Sequence, residues 1–577
     1  MVCDHQTIIR GEEGGEEMAS TKVLAQFLGD KDFPVEWKND EEKDLFWFFD
    51  DNHCPNPISP MYFSLHGWWG PTCEYMFRRF NLNSGIAWIA KRVNGYVYTA
   101  IVPRDSKDAA EVAPYYLWIM STYASNCMSW WQERYLPEVK RNFEYIDTFN
   151  AEAATLQELM IYLEEAIDIQ ERHFRLHWIL NLAQFQASLN FGSVVKELLG
   201  EVDSETLGKV NVSRADRNWD SLKALWHLKE EAKASREISS IFGKKASASQ
   251  ILSVLQASAP GKAFLAEVDM YAREFGYKTM YTHEYTGKLS VEDPTPIIGE
   301  IKGYYESNFD YDSVYRKCIE EQEGAIQSLR RKLASASEAD KKRFEEALRL
   351  NLSMLPLTAD HHFYFDQATF ARVRLVLLKV ARKMVKEKLL DAPEDIMLLE
   401  YEQLRKYVGN PKGYDGRKLI AEARASMERA RRITPRDWVG TVTQQNMYEE
   451  PYHTLWGYPE KFERQQKSKK VKGEVRGVPA SAGVVEGVAR VVHSPTEFND
   501  VQRGEIMVCV MTNPAWVVVF SKIAGLVTDA GGALSHSAVV AREFMLPAVV
   551  GTASATKEIK TGDSVRVDGS RGVVEIL

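Results

Sequence analysis

The spacing of apolar residues divides the chain into stretches of different period. From about residue 114 to 390 the period is mainly helical. Across residues 151–188 (AEAATLQELMIYLEEAIDIQERHFRLHWILNLAQFQAS) apolar positions recur every three or four, which predicts one long buried helix. Further helices are expected over 235–276, closed by Gly276; over 310–354, with a break near Ser335–Ser337; from Asp360 to about Leu389; and over 416–432. Ahead of these, Tyr96–Val102 (YVYTAIV) reads as a strand. From Glu474 to Leu577 short strands and turns take over: strands around 487–492 and 505–510, a helix opened by Asn513-Pro514, and a hairpin over Val565–Leu577. Residues 435–473 are irregular and end in the basic run KSKKVKG, so they read as a hinge. The expected fold is therefore multidomain. A disordered acidic lead-in (1–30) precedes a mostly α-helical substrate domain (31–434), the linker (435–473) and a small α/β domain (474–577).

Composition narrows the function classes. At 577 residues, 45% of them hydrophobic, the chain has material for several cores. A net charge of −9 argues against general nucleic-acid binding. The six cysteines are scattered with no CxxC pair, which indicates neither a zinc site nor a disulfide framework and fits a reducing cytoplasm. The first residues are acidic and Gly-rich where a signal peptide would be basic and then apolar, and no apolar run reaches the ~20 residues of a membrane span. A cytoplasmic protein is expected.

Three stretches carry candidate chemistry. In TDAGGALSHSAVVAREFMLPAVVG (Thr528–Gly551), a short apolar run ends in a double-glycine turn, and Ser535 stands as the N-cap of a helix that begins at His536. Free backbone N–H groups and the positive end of the helix dipole favour a phosphoryl group there, which makes His536 a nucleophile candidate, with Thr528, Gly531, Gly532 and Ser535 as the phosphoryl-stabilising turn. In DHHFYFDQ (Asp360–Gln367), His362 and Asp366 stand at i and i+4, so the carboxylate can orient the imidazole as a base for an acceptor hydroxyl. His361 is the other candidate for that role, and Tyr364 is a candidate substrate contact. The aromatic, proline-broken stretch Leu45–Gly70 holds Phe48, His53, Trp68 and Trp69. Its rings either line a pocket for a flat ligand or plug a seam between helices. His173 and His177 form HxxxH on the long helix. With no HExxH glutamate and no evident third ligand, they read as core or pocket-lining histidines, and no metal site is expected.

The ordered matches Thr528-Asp529, Gly531-Gly532, Ser535-His536, Ala541-Arg542-Glu543 and Pro547–Gly551 resemble the swivelling phosphohistidine domain of the phosphoenolpyruvate-utilising family, which includes pyruvate phosphate dikinase, phosphoenolpyruvate synthase, rifampicin phosphotransferase and phenylphosphate synthase. The resemblance implies that His536 is the phosphorylated residue and that the domain swings on its hinge to a substrate pocket in the helical part. The aromatic segment and the stretch 281–305 are similar to the substrate domains of the same proteins. Histidines and aromatics stand at 360–367 where antibiotic phosphotransferases show Arg and Lys. This makes the chain most like the histidine-bearing subunit of phenylphosphate synthase, with a small phenol-like acceptor. No ATP-grasp half or (β/α)₈ barrel is recognisable, so ATP and Mg2+ are expected on a separate ATP-grasp subunit, with neither bound by this chain. Two other readings stay open: a larger hydroxylated natural product or antibiotic as acceptor, and a phosphorelay or regulatory module that serves no small molecule. Arg542 lies six residues past His536, so it is expected to point away from it and to serve docking.

Overall fold

A computed structural model describes residues 33–577 except 52, 67–69, 278–283, 308, 434, 442–472, 493–496, 499, 513–515, 521, 533–535, 545 and 553. The lead-in, most of the predicted hinge, Trp68, Trp69 and Ser535 therefore lie outside the described residues.

The chain first builds an antiparallel sheet of β1 (Phe46–Phe49), β2 (Ala87–Val93), β3 (Tyr96–Val102) and β4 (Trp438–Gly440), in the order β2-β3-β1-β4. β3 has the bounds that its alternation predicts. It meets β2 through Asn94-Gly95, whose φ values of 50° and 91° suit a two-residue hairpin turn that follows strand twist. β4 comes from the stretch read as hinge and pairs with β1. Every residue of β1 is buried, and Phe48, in register with Thr99, is a core side chain and not the wall of a ligand pocket. The sheet is covered on both faces, so the strand is apolar throughout and its aromatics mimic a ligand-binding stretch.

The helical body follows, with α1 (Ser106–Trp130) and α2 (Leu156–Leu199) leading it. The long helix starts at 156 because Thr155 caps it: the Glu158 N–H donates to the Thr155 hydroxyl at 3.2 Å, and the Thr155 N–H donates to the Glu158 carboxylate at 2.7 Å. After α3 (Ser204–Val210) and α4 (Arg217–Ala234), the expected helical stretch 235–276 is three short helices, opened by the caps Ser235, Ser247 and Ser258. α5 (Thr295–Ser307) comes next. The stretch 310–354 is two helices, Tyr311–Lys332 and Glu338–Met354, parted where Ser337 caps the second. The helix expected from Asp360 runs from α6 (Pro356–His361) to α7 (Phe370–Lys386), and between them His362–Thr369 winds as a wider π-helix. α7 is roped to the irregular 284–294 segment by Arg374, only 1% exposed. Its guanidinium donates to Glu292 at 2.9 and 3.0 Å and to the Tyr285 carbonyl.

The C-terminal body holds β5 (Glu474–Arg476), β6 (Val478–Ser481), β7 (Val484–Val492), β8 (Ile506–Cys509), β9 (Gly525–Thr528), β10 (Ala548–Val550), β11 (Ser564–Asp568) and β12 (Val573–Ile576), in the order β5-β12-β11-β7-β8-β9-β10-β6. β7 to β10 run parallel in that order, the β5-β12-β11 edge is antiparallel, and β6 closes the other edge antiparallel to β10. The expected hairpin is β11–β12, and α8 (His536–Glu543) links β9 to β10. Asn513 and Pro514 lie outside the described residues, and helix is seen at Val517–Phe520.

Replacing Arg374 by Met would leave Glu292 without its buried partner, a loss of about 3 kcal/mol by the usual cost of breaking a buried pair. Urea denaturation should show that loss, and Arg374→Met/Glu292→Gln should recover part of it.

Candidate active site

The cluster around Asp366 assembles from three stretches of chain. Asp366 sits on the π-helical turn and is 2% exposed. One carboxylate oxygen accepts from His362 Nδ1, the i,i+4 pair that the sequence predicts. The other lies 3.1 Å from Nδ1 of His177 on α2, an ion-pair distance. The His361 ring lies between its neighbours, edge-on to His177 at 4.8 Å and tilted against His362 at 4.1 Å between centroids. Its Nδ1 donates to the Leu357 carbonyl at 2.6 Å, so Nε2 carries the lone pair. From the loop after β1, His53 Nδ1 pairs with Asp50 at 2.8 Å.

Electrostatics fix the charge states. Burial acts to raise the Asp366 pKa, but His177 and His362 outweigh it and hold the carboxyl well below its ordinary range. His361 is pushed well below the ordinary imidazole range by burial and then by the charges of His362 and His177, so it stays neutral. Burial lowers His53, yet Asp50 wins and raises it, with a further pull from Asp366. His361 and His177 are buried, whereas the His362 side chain is 47% exposed and forms the solvent edge of the cluster.

The other sequence candidates fall elsewhere. His173 Nδ1 donates to Thr369 Oγ1 at 2.8 Å, since that hydroxyl already donates to the Tyr364 carbonyl, and Asn142 serves Nε2 at 3.0 Å. Both ring nitrogens are taken by protein groups, which removes His173 from the substrate contacts. Tyr364 is buried edge-on against Trp131, 5.5 Å between centroids. Trp131 donates to Asp360 at 3.2 Å, and burial, the largest influence, pushes Asp360 up to about 6. Trp131, Asp50 and Asp360 brace the cluster, and no local pattern singles them out. The sequence found no third ligand for HxxxH. The structure gives His177, and not His173, such company: ligand atoms of His177, His361 and Asp366 all lie within 4.8 Å of one another.

In the C-terminal body, Thr528 ends β9 fully buried, and its hydroxyl donates to the Ala530 carbonyl at 2.7 Å. That hydroxyl is consumed inside the turn and cannot hold a phosphoryl group. Asp529 ties the turn to Thr552 and Thr556. Gly531 has φ +111°, and a Cβ on Gly551 would come 2.4 Å from the Gly531 carbonyl, so the second glycine is required by close approach. The helix opens at His536 as predicted, and its first turn is anchored where Thr512 N–H donates to Ser537 Oγ at 3.2 Å. Ser535 and the His536 side chain lie outside the described residues. Arg542 donates to the Ala480 carbonyl at 2.7 Å and packs on Gly208 of α3, where an added Cβ would meet its Cδ at 3.1 Å.

Residues 501–572 match the family model of the PEP-utilising enzyme mobile domain. The C-terminal body is thus similar to that mobile domain over most of its length. Residues 177–357 match the fourth domain of rifampicin phosphotransferase, a region that begins at His177 and stops short of His361. Chondramide synthase of Chondromyces crocatus is 27% identical over 95% of this chain and 14% of its own length. An uncharacterized phosphotransferase of Bacillus subtilis is 22% identical over 93% of this chain and 62% of its own length. Rifampicin phosphotransferase of Bacillus cereus is 31% identical over 54% and 34% respectively. The chain thus spans less than two thirds of each of these relatives. Among the described residues, no helix is long and apolar enough to cross a membrane.

His173 supplies a pH test of the core. Burial, then Arg172 and Arg372, lower its pKa to about 3. Between the ordinary imidazole value near 6.5 and about 3 the unfolded chain binds the extra proton, so stability falls as pH drops through that window, by about 1.4 kcal/mol per unit for one proton. Denaturant titrations at pH 7 and pH 5 should show a shallower loss for His173→Gln than for the parent chain.

Proposed function

We propose that the chain is a phosphotransferase in which His536 carries a phosphoryl group to the hydroxyl of an acceptor held at the helical body. The observation that supports it most is the pairing, in one chain, of a mobile domain whose helix opens at His536 with a half-exposed His362 oriented by the buried Asp366. In the transfer the P–N bond at His536 breaks and a P–O bond to the acceptor forms, while the hydroxyl proton passes to His362. His361 is buried and tied to Leu357, so it serves the cluster and not as base. Phosphoryl transfer through a loose transition state asks mainly for positioning and charge neutralisation, which is what a preset acid–histidine pair provides. ATP and Mg2+ act on a separate ATP-grasp subunit that charges His536.

The acceptor is a hydroxylated natural product. Relatives named for rifampicin and chondramide support that class. A small phenol drew its support from the histidines and aromatics at 360–367 and from the aromatic loop, and Phe48 of that loop belongs to the core. The test charges the chain with phosphoramidate, or with ATP and an ATP-grasp partner, and follows phosphohistidine by mass spectrometry before adding rifampicin or phenol. His536→Ala should lose both charging and transfer. His362→Gln should still be charged but discharge ~100-fold or more slowly, the usual weight of a general base. ATP-dependent transfer by His536→Ala would refute the carrier role, and transfer to phenol alone would refute the acceptor class.

A further inference from the structure

We propose that His177, His361 and Asp366 form a binding site for one divalent transition-metal ion, with Zn2+ the best match. Ligand atoms of the three residues lie within 4.8 Å of one another although they come from α2, the end of α6 and the π-helical turn. Around a tetrahedral ion with ligands at 2.0–2.2 Å, neighbouring ligand atoms sit about 3.4 Å apart, so side-chain rotations of modest size close the shell.

His361 supplies the independent observation. It is 1% exposed, its Nδ1–H is committed to the Leu357 carbonyl at 2.6 Å, and its Nε2 lone pair has no hydrogen-bond partner among the described residues. A buried acceptor left bare costs about 1–3 kcal/mol. A ring whose far N–H is fixed by a backbone carbonyl is the arrangement that metal-bound histidines adopt. Asp366 is oriented too: His362 holds one oxygen, while the other faces His177 at 3.1 Å. A paired network accounts for His362, His177 and Asp366, and leaves His361 Nε2 unexplained. An ion at the centre accounts for all three groups.

Two imidazoles and one carboxylate select for Zn2+, Co2+, Fe2+ or Mn2+ over Mg2+, which prefers oxygen ligands and retained waters. Three protein ligands leave a coordination position open, and the His362 ring lies 4.1 Å from that of His361, one of the three. An acceptor hydroxyl placed there would be polarised beside its base. That last consequence rests on the phosphotransfer reading, whereas the site itself does not.

The experiment strips the full chain with chelator, dialyses it against Zn2+ or Co2+ alone, and reads metal per chain by mass spectrometry together with the visible spectrum of Co2+. One ion per chain is expected, with intense low-coordination Co2+ bands. His361→Gln and Asp366→Asn, each checked for folding by circular dichroism, should bind at least ~10-fold more weakly, and His173→Gln should bind as the parent does. Should a variant fail to fold, the parent chain decides: no retained ion, or a six-coordinate Co2+ spectrum like that of the free ion, overturns the site. Equal binding by folded His361→Gln also overturns it. Charging and discharge of His536 in a chain that binds no metal would remove the metal site and leave the phosphotransfer reading standing.

Discussion

A carboxylate kept ionised inside the helical body, Asp366, sets the terms for what surrounds it. Burying such a charge costs several kcal/mol unless partners compensate, and here His362 and His177 do so. One partner is local and the other comes from the middle of α2, so the carboxylate constrains where the long helix crosses the π-helical turn. The π winding adds a residue to the turn, and such turns recur at functional sites because they re-aim side chains that a regular helix would spread. The aromatic surroundings belong to the same constraint. Phe174 and Trp178 flank His177, and Trp131 holds Asp360 while packing on Tyr364 and Phe365. Rings that exclude water make every charge in the cluster count for more.

Which parts of this were legible in the sequence follows from the range of each interaction. The turn and helix at Thr528–Glu543 are local, and so is the i,i+4 pair His362 and Asp366; both stand where the spacing placed them. The π-helical turn leaves no trace in an apolar period that continues helical on both sides. The approach of His177 to Asp366 was illegible because the two are far apart in the chain and HxxxH pointed to His173 as its companion. Phe48 and Thr528 were misread for one reason: side chains suited to binding are equally suited to satisfying the fold. In β1 the sheet is covered on both faces, and in the glycine turn a backbone carbonyl claims the hydroxyl.

The two bodies meet at the far end of α8 and also where α5 lies against Val517–Phe520. Arg542, half-buried and with its pKa lowered to about 10 by desolvation, lies against Gly208, and Phe544 packs against both the main helical core and the core of its own domain. Eight residues of helix span about 12 Å, so this contact and His536 sit at opposite ends of one element. A contact that used the carrier's end of the helix would compete with whatever charges or discharges His536. The Arg542 contact does not, and it is close: α3 offers a glycine under the guanidinium stem, where an added Cβ would stand 3.1 Å from Arg542 Cδ. For the carrier role proposed for His536, this places the Arg542 contact at the opposite end of the helix from the carrier. The energy of docking and the chemistry of transfer can then be tuned by different residues.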